Sequence, residues 1–255
     1  MATSLALHAL PGIPMVQPGD DLAALIEAAL ARAGLAFQHG DVLVLAQKIV
    51  SKSEGRIVDL ATVTPSPEAE ELAARTQKDP RVVQVILGEA VRVVRARPGL
   101  MIVEHRRGWV MANAGIDQSN VAPLDGTARV LLLPEDPDAS AETLRARLAG
   151  AANAAIGVVI SDSFGRAWRR GTAGIAIGAA GLPALVDLRG NPDLFGRTLE
   201  VSIIGFADEI AAAASLLQGQ ADEAQPVILV RGLSWSQPAM GAAHLVRPAS
   251  EDLFR

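Results

Sequence analysis

The feature that most constrains this 255-residue chain is the alternation of short apolar runs with segments of helical period, several of them introduced by a capping residue. Asp41-Val-Leu-Val-Leu45, Leu100–Glu104, Val130–Leu133, Ile156–Ser161, Val201–Ile204 and Val227–Val230 read as strands. Between them, Leu22, Leu25, Ile26, Ala29, Leu30 and Ala33 recur at helical spacing after Pro18-Gly19-Asp20, with Asp20 as the expected N-cap. Ser66-Pro67-Glu68 and Asp79-Pro80 each place a capping side chain before a first-turn proline, where the missing N–H has no partner to lose. Ser140 with Glu142 opens another helix, and Phe206, Ile210, Ala213 and Leu217 mark one face of an Ala-rich helix. Strands interleaved with helices predict a mixed α/β (α+β) protein. No repeat, low-complexity tract or linker divides the chain, so residues 1–255 are expected to form one unit, with one lobe or two left open.

Composition narrows the chemistry. With no Cys there is no disulfide framework, no thiolate nucleophile and no Cys-rich zinc site. The four His are scattered singly. A metal would therefore be held by oxygen, which points to Mg²⁺ or Mn²⁺. A net charge of −5 argues against a general nucleic-acid surface. The N-terminus, Met1 to Met15, lacks a charged region and is broken by Pro11 and Pro14, so it does not read as a signal peptide. The longest apolar stretch, 173–186, contains three glycines and a proline and is shorter than the ~20 residues a spanning helix needs. A cytoplasmic protein with no membrane or nucleic-acid partner is expected. No Gly-x-Gly, Gly-Lys, His-Glu-x-x-His or Gly-x-Ser-x-Gly occurs, which removes the usual nucleotide and hydrolase signatures.

Four segments carry the candidate chemistry. Only three of the 23 basic residues are Lys, and two of them, Lys48 and Lys52, fall with Gln47, Ser51, Ser53 and Arg56 at an expected strand-to-loop transition. In a chain that otherwise uses Arg, a lysine pair suits a phosphate; a solvated loop is the alternative. Asn113, Asp117, Ser119 and Asn120 crowd a glycine-containing loop after a strand, as oxygen donors or as an ordinary Asx turn. The buried strand Ile156–Ser161 is expected to end abruptly at Asp162 and Ser163, followed by Arg166, Arg169 and Arg170 and by Gly171, Gly174, Gly178 and Gly181, which allow close backbone approach. Gln218, Gly219, Gln220, Asp222 and Glu223 form a polar cluster after the Ala-rich helix, which a helix C-cap would explain equally well. Two acids with Lys and Arg are the minimum apparatus of phosphoryl transfer, without choosing between kinase, ligase and phosphohydrolase.

At these segments the chain resembles the coenzyme F420-0:L-glutamate ligase (gamma-glutamyl ligase) family in its stand-alone form. The ordered combination spans nearly the whole length: Gly12-Ile-Pro-Met15, Gly40-Asp-Val-Leu-Val, Gln47-Lys-Ile-Val-Ser-Lys-Ser-Glu-Gly-Arg56, Lys78-Asp-Pro-Arg81, Asn113-Ala-Gly-Ile-Asp-Gln-Ser-Asn-Val121, Asp162-Ser-Phe-Gly-Arg166, Arg169-Arg-Gly171, Asp208-Glu-Ile210, Gly219-Gln220 and Val230-Arg-Gly-Leu233. The resemblance implies a family-specific fold, neither Rossmann nor P-loop, in an intertwined homodimer. It also implies a ligase that uses GTP, Mg²⁺ or Mn²⁺ (two ions) and, as a further ion, K⁺. Asp117 and Asp162 would bind one divalent ion, and Ser163 and Gln220 would contribute to a second. Gln220 departs from members with a carboxylate there and offers only a neutral amide oxygen. Gly12, Ile13, Pro14, Met15, Gln47, Lys48, Lys52, Asn120 and the run Gln218, Gly219, Gln220, Ala221, Asp222, Glu223, Ala224, Gln225 would hold GTP. Asp117, Asp162, Lys52 and Arg166 would form the catalytic set. The implied reaction activates the carboxylate of F420-0 as an acyl phosphate and joins L-glutamate to it, releasing GDP and phosphate. A metal-dependent phosphohydrolase or kinase, or a non-catalytic phosphate-binding module, would use the same residues.

Overall fold

The computed structural model describes residues 4–119 and 126–252. In chain order these form β1 (Ala6–Ala9), α1 (Leu22–Arg32), β2 (Val42–Ala46), α2 (Gln47–Ser53), β3 (Ile57–Asp59), α3 (Pro67–Thr76), α4 (Pro80–Glu89), β4 (Ala90–Arg97), β5 (Leu100–His105), β6 (Val110–Ala112), β7 (Arg129–Leu131), α5 (Pro137–Ala152), β8 (Gly157–Gly165), β9 (Thr172–Ala180), β10 (Val186–Asp187), β11 (Ile203–Ile204), α6 (Phe206–Gln218) and β12 (Val227–Arg231). The central sheet has the order β1-β12-β2-β8-β9. Only β2 and β8 run parallel in it. A doubly wound nucleotide-binding sheet is mostly parallel, so this is a different mixed α/β arrangement. β4, β5 and β6 form a separate antiparallel sheet, and β3-β7 and β10-β11 make two-stranded ones.

Residue alternation in the strands explains how the central sheet is covered. Leu43, Leu45, Val158, Ile160, Val227 and Leu229 face one side, where Ile26 and Leu30 of α1 and Leu148 of α5 pack. Val42, Val44, Val159, Ile228 and Val230 face the other, against Ala207, Ile210, Ala211 and Ala214 of α6. Both faces are buried, so the strands read as continuous apolar runs. The buried face of α6 is therefore not the expected Phe206–Ile210–Ala213–Leu217 stripe; Leu217 is exposed. The small residues win because α6 lies very close to the sheet: a Cβ on Gly174 would sit 2.4 Å from the Ala211 carbonyl oxygen. On the opposite face, a Cβ on Gly178 would meet the Pro137 carbonyl at the same distance. The close backbone approach expected at these two glycines is that of helices.

At the sheet edge, β9 carries one extra residue, because Ile160 pairs with Gly178 while Ser161 pairs with Ala176. The edge N–H groups of Ala176 and Ala179 donate to Asp208 and Asp138, at 2.9 and 2.8 Å. Two carboxylates from helices on opposite faces thus close an edge that would otherwise pair with another chain. A second hydrophobic body gathers Leu60, Leu72, Val83, Ile86, Met101, Val103 and Val130 around α3, α4 and β5.

Several boundaries move. Asp21, not Asp20, caps α1 by accepting from the Ala24 N–H, while Asp20 closes the preceding turn on the Gln17 N–H. Asp136 caps α5 ahead of Pro137, which leaves Ser140 inside the helix. Ser66 and Asp79 cap as expected. β8 does not stop at Asp162 but pairs with β9 through Gly165. Among the described residues no helix is long and apolar enough to cross a membrane.

Candidate active site

Because β2 and β8 are parallel neighbours, their carboxyl ends open at one edge of the sheet, the usual ligand position in such arrangements. A cavity of about 380 Å³ lies there, walled by the 13–16 loop, the start of α2, Ser161–Ser163 of β8, the end of α6 and the loop to Pro226.

α2 follows β2 without a connecting residue, from an extended Ala46 that provides no side-chain cap. The segment expected as a loop is thus a helix. Ile49 and Val50 anchor it in the core, and the Ser51 hydroxyl donates to Gln47 Oε1 at 2.8 Å. Lys48 and Lys52, four residues apart, share one face. Lys48 Nζ pairs with Asp117 Oδ2 at 2.6 Å and donates to Ser119 Oγ at 2.7 Å. The Ser119 N–H donates to Asp117 Oδ1 at 2.7 Å. Asp117 itself is fixed by reciprocal backbone bonds with Leu131. Burial pushes the Asp117 carboxyl up, but the Lys48 and Ser119 hydrogen bonds outweigh it and hold the group below the ordinary carboxylate value. Lys52 is buried, and burial with the neighbouring Lys48 charge pushes its pKa down. An anion in the cavity would relieve both effects.

Asp162 is the strained member. Burial, with added repulsion from Asp117, raises its pKa to about 7, and the Ser163 N–H at 2.8 Å only partly compensates. Ser161 Oγ lies 3.3 Å from both the Leu45 carbonyl and Gln218 Oε1, and Gln218 Nε2 is buried with no partner among the described residues. In the following loop the Glu223 carboxylate folds over Gly219, where a Cβ would be 2.1 Å from Glu223 Cδ. It accepts from the Ala221 N–H at 2.8 Å, and converging backbone N–H groups lower its pKa. Such convergent N–H groups also suit phosphate oxygens.

The structure brings most of the expected residues together. Ile13, Pro14, Met15, Gln47, Lys48, Lys52, Asp162, Ser163 and all of Gln218–Gln225 line the cavity. Asp117 adjoins it through Lys48. Gly12 stands just outside, at φ +71°, where the Arg32 guanidinium grips the Pro11 and Gly12 carbonyls. Asn120 lies outside the described residues. Arg166 is not part of the wall; it lies beyond Ser163 on the hairpin. Sequence reasoning missed Arg32, Ser161 and Ser215, and only Ser161, two positions before Ser163 on one strand, carried a signal.

Two carboxylates that repel each other, with the Lys48 ammonium on Asp117 and the Ser163 hydroxyl beside Asp162 in sequence, offer oxygen donors of the kind a hard divalent cation takes. Among the described residues no group of three His, Asp or Glu could hold a metal. An ion here would have at most two protein carboxylates, with substrate phosphates and water to complete its shell, the usual habit of Mg²⁺.

Residues 12–232 match the family described as F420-0:Gamma-glutamyl ligase. The chain belongs to this family. Its relatives include the Coenzyme F420:L-glutamate ligase of Methanothermobacter thermautotrophicus, 46% identical over 253 residues, which are 98% of this chain and 99% of the relative. The protein of the same name from Methanopyrus kandleri is 45% identical over 257 residues, 99% of this chain and 98% of the relative. That from Halobacterium salinarum is 42% identical over 97% of this chain and 94% of its own length. Membership in this ligase family makes the chain an enzyme and the cavity at the β2/β8 edge its candidate active site.

Proposed function

We propose that residues 1–255 act as one catalytic unit in the cytoplasm, joining L-glutamate to coenzyme F420-0 with GTP as co-substrate. The observation that carries this is the convergence on one cavity of a buried lysine, a second lysine paired with the adjoining Asp117, the Asp162 carboxylate and a loop rich in N–H donors.

In this reaction a carboxylate oxygen of F420-0 attacks the γ-phosphorus of GTP. The bond to the β-phosphate oxygen breaks, giving an acyl phosphate and GDP. The glutamate amine then attacks the acyl carbon, phosphate leaves and the amine proton is released as the amide forms. Ile13–Met15, Gln47, Lys48, Lys52 and the 218–225 loop hold GTP, and the lysines neutralise its triphosphate. Asp117 and Asp162 would hold one divalent ion, with Ser163 and Gln220 contributing to a second. Mg²⁺ or Mn²⁺ there would supply further charge neutralisation on the transferring phosphoryl group. A homodimer belongs to the same proposal. The arm that carries β10 and β11 ends in Leu194 and Phe195, 99% and 89% exposed, and a second copy would cover them.

The test is GDP release by the purified protein with GTP, Mn²⁺ and F420-0, with and without glutamate, and mass spectrometry of the product. Glutamate-dependent GDP release with a glutamyl adduct is expected. Release independent of glutamate and acceptor would refute the ligase in favour of a phosphohydrolase.

A further inference from the structure

Arg32, in the last turn of α1, spends its side chain on a loop of the cavity rather than on a carboxylate. It takes no part in the cavity wall and makes no ion pair among the described residues. Its guanidinium reaches the chain just before Ile13. Nε and Nη2 donate to the Pro11 carbonyl at 3.3 and 3.2 Å, and Nη2 also donates to the Gly12 carbonyl at 2.9 Å. A planar fork can hold two carbonyls at once in a fixed relation. Position 12 is fitted to this grip: it lies at φ +71°, and a Cβ there would sit 2.8 Å from Arg32 Nε.

Holding the carbonyls also sets the donors. A trans peptide is planar, so its C=O and the following N–H point in opposite directions, and no cis peptide occurs among the described residues. With the Pro11 and Gly12 carbonyls turned to Arg32, the N–H groups of Gly12 and Ile13 point away from α1. Neither has an acceptor among the described residues. Ile13 belongs to the cavity wall. The loop has few other ties. The Leu10 N–H donates to the Val227 carbonyl, the Gln17 N–H closes on Asp20, and between them the Gln17 amide donates to the Met15 carbonyl. Two successive N–H groups at a turn, one on a left-handed glycine, form the kind of concavity that takes an anion. Hydrogen bonds at the carbonyl ends polarise both peptides and strengthen these N–H groups as donors.

We propose that Arg32 is a positioning residue for the nucleotide: by gripping the Pro11 and Gly12 carbonyls it turns the Gly12 and Ile13 N–H groups onto the phosphates of GTP. This rests on the proposed function, in which the loop at Ile13–Met15 holds GTP, and it adds a residue outside the cavity that orients that loop. Arg32 itself does not touch the nucleotide.

Calorimetric titration of the full chain with GTP, and displacement of that GTP by inorganic tripolyphosphate, read the loop without turnover. Arg32→Ala should weaken both ligands by about tenfold or more and by the same factor, the scale of a hydrogen bond to a charged group. Arg32→Lys, which can still hold a carbonyl, should fall between wild type and Arg32→Ala. F420-0 affinity should be unchanged, and the ligand-free Tm should stay within about 2 °C of wild type, as for a surface substitution. In turnover KM for GTP should rise while kcat stays within about threefold. Equal GTP affinity in Arg32→Ala would overturn the proposal. So would a loss confined to GTP and not shared by tripolyphosphate, which would put the loop on the base. A parallel loss of F420-0 affinity and Tm would also overturn it, since Arg32 would then only hold the fold together. Failure of the ligase reading shows separately, as wild-type protein that binds GTP but never releases GDP in response to glutamate.

Discussion

Replacing Asp162 with asparagine tests the site through stability as well as activity. The carboxyl has its pKa raised from the ordinary 3.8 to about 7, chiefly by burial and then by the Asp117 charge. For an acid whose folded pKa is raised, stability is complete below the unfolded value and declines as pH rises toward the folded one. At 1.36 kcal/mol per pH unit, the ionised group destabilises the metal-free protein by about 4 kcal/mol at most at pH 8. Relaxation and water entry should leave roughly 2 kcal/mol of it. The substituted amide keeps an oxygen to accept from the Ser163 N–H but has no charge to bury. Metal-free D162N should therefore melt higher than wild type at pH 8, by ~4–8 °C for a chain of this size. The gap should shrink to roughly half by pH 5.5, because the wild-type group is then largely protonated in the folded state. Adding Mn²⁺ should raise the wild-type Tm and leave D162N unmoved, and D162N should not release GDP. Thermal denaturation at the two pH values, with and without Mn²⁺, decides it. A variant less stable than wild type at pH 8, a gap that widens on acidification, or Mn²⁺ stabilisation of both proteins would refute the assigned environment.

Three further outcomes are expected. Lys52→Met should weaken GTP binding by roughly 10- to 100-fold, the scale of one charge-assisted hydrogen bond, measured by calorimetry; equal affinity would mean that the lysine does not face the phosphates. Gly174→Ala should lower stability by about 1–3 kcal/mol in denaturant unfolding, because its Cβ would lie 2.4 Å from the Ala211 carbonyl and push α6, with Gln218 at its end, off the sheet. Phe195→Asp together with Leu194→Asp should convert a homodimer to a monomer in light scattering, whereas an unchanged mass would place the interface elsewhere.

Local chemistry made much of this molecule legible in advance. Ser66-Pro67 and Asp79-Pro80 announced two helices because an N-cap and a first-turn proline act through neighbouring residues only. The apolar runs of β2, β8 and β12 were visible because a strand buried on both faces must be apolar throughout. α2 was not visible: it starts directly from β2 with no capping side chain, and its polar residues face a cavity that a linear reading cannot see. The continuation of β8 past Asp162 was hidden in the same way, since Asp162, Ser163 and Gly165 look like a turn until β9 pairs with them.

By itself the sequence determined the helices α3 and α4, the apolar strands β2, β8 and β12, the exclusion of any Cys-held metal, and the four segments that belong to its family's pattern. These follow from residue type and short-range spacing. Tertiary structure alone decided that Asp117 and Asp162 interact, and that Lys48 pairs with the first acid while Lys52, among the described residues, lies buried without a partner carboxylate. It also decided that the backbones closely approaching Gly174 and Gly178 are those of α6 and α5, and it separated the hairpin arginines from the cavity. The physical reason is that charge coupling, desolvation and close packing depend on distance through space. Asp117 comes from the loop locked to β7 and Asp162 from the central sheet, and only the packing of those two parts brings them within reach of each other.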